Sequence, residues 1–110
     1  MKFNRYYEKL FGINLYWFRG SRKDYASLVK KKFRRMAPER PVSYGTFETY
    51  RLNGKWVGVI WLRSRRFDVL VHECFHAVHW CLIDLGVTLT DASEEVYAYL
   101  LQSLVKELKC

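Results

Sequence analysis

The chain has 110 residues, half of them apolar and 17% aromatic, and a net charge of +8. That length and composition set one domain, residues 1–110, with a core of its own, and they exclude a disordered chain. No apolar run approaches the ~18 residues of a membrane span, and no small-residue cleavage site follows Phe11–Phe18, so a signal peptide is not expected.

The charge is divided along the chain. Residues 1–66 hold 17 basic and 4 acidic side chains, and residues 67–110 hold 2 basic and 7 acidic ones. The expectation is a basic surface and a separate acidic site. The three cysteines, Cys74, Cys81 and Cys110, are odd in number and lack a disulfide framework spacing. A reducing cytoplasm is therefore the expected compartment.

Residues 13–18 read as a strand by aromatic and β-branched content. Residues 23–36 read as a helix, with Tyr25, Leu28, Val29, Phe33 and Met36 at helical spacing and lysines and arginines between them. Pro38 and Pro41 then break the chain. Residues 46–52 and 55–62 flank Asn53-Gly54, a strong hairpin signal because both turn residues take positive φ. Residues 69–85 read as a long helix closed by Gly86. Asp91 or Ser93 caps a last helix that reaches about Leu108. The expected fold is α+β: a small antiparallel sheet, with its hairpin at 46–62, packed against the last two helices.

Residues 72–76 read His-Glu-Cys-Phe-His, an H-E-x-x-H pattern on a helix. At about 100° per residue His76 falls about 40° from His72, and Glu73 about 100° from it. Cys74, Val78, Cys81 and Leu85 fall on the opposite side, so the cysteines are expected in the core rather than on a metal. Two histidines on one face suit Zn²⁺, which needs a third protein ligand and an open position for water. Bound zinc makes that water a nucleophile near neutral pH, and Glu73 is positioned to take and return its proton. No histidine follows His79, but Glu94 and Glu95 do. Glu95 lies opposite the apolar face of its helix, as the histidines do on theirs, and is the preferred third ligand. Glu94 remains open. His79 lies on the ligand face, about 10.5 Å of helix from His72. It is expected beside the site or at the surface. Trp80 is expected either to wall the cleft or to pack under the hairpin.

His72-Glu73-x-x-His76, followed after 18 residues by Glu95-x-x-Ala98-Tyr99, resembles the gluzincin branch of the zincin metallopeptidases. In length the chain is similar to minigluzincins and to small phage-encoded metallopeptidase-like proteins. The resemblance covers about residues 55–108. It implies a hairpin strand along the cleft, zinc on His72, His76 and Glu95, and Glu73 as general base. Large gluzincins add a C-terminal subdomain that supplies a Tyr or His to the oxyanion. Here Tyr97, Tyr99 or an arginine of the basic half is the expected substitute.

The sequence therefore predicts a small zinc metallopeptidase, acting on an acidic peptide or protein in the cytoplasm (the host cytoplasm if phage-encoded). The alternative is a zinc-stabilised, non-catalytic binding module. It would use residues 1–66, with Arg22, Lys23, Lys30–Lys32, Arg34, Arg35, Arg63, Arg65 and Arg66, to hold nucleic acid or a host protein. Nucleic acid is the less favoured partner, because strand aromatics are more often core than stacking platforms.

Overall fold

A computed structural model describes residues 1–38 and 44–109. Pro41 lies outside the described residues. Seven elements follow in chain order: β1 (Asn4–Glu8), β2 (Ile13–Arg19), α1 (Arg22–Phe33), β3 (Gly45–Leu52), β4 (Lys55–Leu62), α2 (Phe67–Asp84) and α3 (Glu94–Leu108). The fold is α+β, as expected. Two features of the sheet differ from the expectation.

First, β1 has no counterpart in the sequence reading. It pairs antiparallel with β2, from Asn4 opposite Trp17 to Glu8 opposite Ile13. Charged and exposed residues interrupt its alternation, and only Tyr6 and Glu8 are buried. The Glu8 carboxylate accepts hydrogen bonds from the N–H groups of Leu10 (2.6 Å) and Phe11 (2.9 Å), which closes the turn from within. Gly12, at φ +67°, supplies the left-handed step into β2.

Second, the sheet is mixed. The strand order is β1-β2-β4-β3. β3 and β4 form the expected antiparallel hairpin, closed by Asn53 at φ 53° and Gly54 at φ 79°. β2 and β4 are parallel, with Leu15 opposite Gly58 and Arg19 opposite Leu62. β3 starts at the end of the sheet where β2 finishes, since Arg19 and Gly45 both stand opposite Leu62, so β3 runs back against β2 and its hairpin turns β4 parallel to β2.

Both faces of the sheet are covered. Leu15, Ile60 and Leu62 pack with Cys74, Val78, Leu82, Leu100 and Leu104 of α2 and α3. On the opposite face Tyr16, Phe18, Val59 and Trp61 pack with Tyr25, Leu28, Val29 and Phe33 of α1. Dual coverage explains the continuous apolar run Val59–Leu62, all of it buried. α1 ends three residues earlier than expected, because Arg34 adopts φ 57° and its N–H closes on the Lys30 carbonyl. Met36 therefore leaves the core line and is 88% exposed. At the far end, Arg19 donates to the Leu108 carbonyl at 2.9 Å. A cation at a helix C-terminus favours that docking.

Cys74 and Cys81 are buried free thiols, as their helical phase requires. Leu85, expected beside them, lies past the end of α2 and is 49% exposed. Burial, with Asp84 adding to it, pushes the Cys81 thiol up to about 12. An unfolded thiol titrates near ~8.5. Between these values the folded chain keeps a proton that the unfolded chain releases. Stability is thus full below the unfolded value and falls as pH rises, by up to about 1.4 kcal/mol per pH unit for this thiol. Urea titrations at pH 8, 9 and 10 should show a shallower loss in Cys81→Ala than in the wild type; equal losses would contradict this assignment.

Candidate metal centre

The site is built on the first half of α2 where it crosses edge strand β3. Helical spacing turns His72 and His76 to solvent on one face. Their Nε2 atoms converge to 3.1 Å. A tetrahedral ion bound at ~2.0–2.1 Å from each nitrogen would set that separation near ~3.3 Å, so the pair fits a shared zinc. Among the described residues, His72, Glu73 and His76 form a group whose ligating atoms lie within 4.8 Å of one another.

Glu73 differs from its neighbours. It is 7% exposed, with its side chain turned to β3 rather than to solvent. Desolvation raises its carboxyl above the ordinary carboxylate range. The His72 and His76 charges and the Phe47 N–H, which donates to the carboxylate, act in the opposite direction, and Glu48 adds to the rise. The hairpin strand thus holds the carboxylate in place through a main-chain donor.

Gly45 permits this approach. A Cβ there would meet Val69 Cγ1 at 2.8 Å and the Trp61 carbonyl at 3.0 Å, and would touch Glu73 Cγ at 3.4 Å. Any larger residue would push β3 away from α2 at the point where Glu73 is held. Trp80 packs on Phe47 of the hairpin at 5.8 Å between ring centroids, the second of the two arrangements open to it.

The open side is a cleft of about 390 Å³ lined by Tyr44, Gly45, Arg66, Asp68, Val69, His72 and Glu73. Arg63 and Arg66 stand over the Tyr44 ring at 5.7 and 4.9 Å. Arg66 also pairs with Asp68 at 2.6 Å. The sequence offers an arginine of the basic half to the site without saying which, and it does not point to Tyr44. Nothing in the spacing of Arg63 and Arg66 along the chain ties these two in particular to His72.

The remaining candidates lie outside the compact group. Glu94 and Glu95 are exposed in the first turn of α3. His79 is exposed, stacks parallel on Phe75 at 6.1 Å and lies 6.3 Å from the Tyr97 ring. The Tyr97 hydroxyl donates to the Val87 carbonyl at 2.6 Å, which commits that phenol to the α2–α3 loop. Tyr99 is 47% exposed.

No protein-family model matches the chain, and no significant match was found among curated proteins or solved structures. No helix among the described residues is long and apolar enough to cross a membrane.

Proposed function

We propose that the chain is a zinc-dependent hydrolase, a metallopeptidase of the gluzincin type acting on acidic peptides or proteins. One observation carries the reading: two exposed histidine nitrogens converge at 3.1 Å beside a buried carboxylate anchored on an edge strand. His72 and His76 would hold the ion. Glu95 is the proposed third ligand, with Glu94 the alternative. The choice of Glu95 rests on its helical phase, opposite the apolar face of α3, since among the described residues the compact group holds only His72, Glu73 and His76. When bound, zinc lowers the pKa of a water to near neutrality. Glu73 takes a proton from the attacking water and returns it to the leaving amine. The Phe47 N–H fixes the carboxylate for both transfers. Arg63 and Arg66 at the rim favour a substrate with a carboxylate near the scissile bond. The proposed compartment is the cytoplasm, on the odd cysteine count and the lack of a disulfide-framework spacing.

Metal analysis of the purified chain tests the binding step. The wild type should carry one zinc per chain. His72→Ala and His76→Ala should each lose at least tenfold in occupancy at fixed free zinc. Comparing Glu95→Ala with Glu94→Ala identifies the third ligand. Zinc content indifferent to both histidine substitutions would overturn the proposal.

A further inference from the structure

A groove lies far from the histidines in the chain, between edge strand β1 and α1. It has a volume of about 680 Å³. Lys2 and Arg5 line one wall and Lys31 and Lys32 the other, over a floor that includes Phe3, Tyr16 and Leu28. The Arg5 guanidinium and the Lys32 ammonium lie over the Tyr16 ring at 5.6 and 4.6 Å. None of the four cations forms an ion pair among the described residues.

Folding also sharpens the charge of this half. Among its described acidic residues, Glu8 and Glu48 are buried. Glu8 serves the β1–β2 turn, and Glu48 serves an internal network with Tyr25 and Thr46. Asp24 is the only exposed one. The exposed positions Lys23, Lys30, Arg34 and Arg35 continue the positive surface along and just beyond α1. Four cations facing one another over an apolar floor repel in the empty groove, and an anion relieves that repulsion.

We propose that this groove binds the sugar–phosphate backbone of nucleic acid. The charge continues well beyond the groove, which suits an extended polyanion rather than a single small anion. The groove aromatics are buried under cations rather than presented for stacking. Contact is therefore made to phosphates and is independent of base sequence.

Fluorescence anisotropy with a labelled 20-nucleotide single strand and a 20-base-pair duplex, between 50 and 200 mM salt, tests the assignment. Four phosphate contacts predict a slope of log affinity on log salt of about −3 to −4. Arg5→Ala/Lys31→Ala/Lys32→Ala, checked for folding by circular dichroism, should bind at least tenfold more weakly, with a shallower slope. His72→Ala should bind as the wild type does, which separates this surface from the metal-site reading. No binding at 50 mM salt would overturn the proposal, as would a triple variant that binds normally. Displacement by polyglutamate as effective as by unlabelled DNA would also overturn it, in favour of an acidic protein partner.

Discussion

Glu73→Gln is expected to leave zinc occupancy unchanged and to lower kcat/KM on an acidic peptide by about 10²–10⁴, the usual contribution of a positioned general base. Gln keeps the shape of the side chain and an oxygen able to accept from the Phe47 N–H, so the anchor to β3 can persist. It cannot take a proton. Because the carboxylate is buried, its replacement by a neutral group also removes a desolvation cost. The variant should therefore be at least as stable as the wild type. That combination isolates the chemical role: zinc retained, fold retained, hydrolysis lost. Hydrolysis that survives within threefold would remove Glu73 from the mechanism. Loss of zinc together with activity would make Glu73 a ligand rather than a base.

Arg22→Met should be the most destabilising of the charge-removing substitutions. Glu48 lies on the α1 face of the sheet with a side-chain exposure of 5%, and its partner Arg22 is 25% exposed. Their closest approach is 3.6 Å. Glu48 Oε1 also accepts from the Tyr25 hydroxyl at 2.8 Å and from Thr46 at 2.9 Å, whereas Oε2 has no hydrogen-bond partner. Arg22 is therefore the cation that offsets a buried carboxylate. Its guanidinium also lies over Tyr25 and Trp61 at 5.0 and 4.9 Å and reaches the Pro38 carbonyl. Removing one partner of a buried pair costs ~3–5 kcal/mol, and the partial exposure of Arg22 puts this case at the lower end. A loss of about 3 kcal/mol corresponds to a fall in Tm of about 10–20 °C for a chain of this size. Arg22→Met/Glu48→Gln should recover more than half of the loss, since the stranded charge is gone. A double variant as unstable as the sum of the two singles would show that the pair is not coupled.

Much of the secondary structure and of the candidate site can be read locally. Asn53-Gly54 specifies its turn through backbone conformations that few other residues adopt. His72, Glu73 and His76 converge because one helical period brings positions four apart to the same face. Cys74 and Cys81 are core residues by the same phase argument. The net charges of the two halves were also countable before folding.

Other features depend on distant parts of the chain. β1 is stabilised by pairing with β2 and by one carboxylate that closes its turn, and charged residues mask its alternation. The parallel register of β2 and β4 follows from the end of the sheet at which β3 starts, which no local pattern records. Phe47 and Gly45 have roles at the site only because the hairpin lies against α2. Glu48 appears in the sequence as one acid in a basic half, yet folding turns it inward and leaves the surface more positive than the residue count implies. The sequence by itself determined the helical phase, the turn and the His-Glu-His group, because these depend on backbone geometry within a few residues. Only the tertiary structure decided what holds the Glu73 carboxylate, which acids are hidden and where the basic groove opens, because burial and charge pairing depend on which distant segments meet.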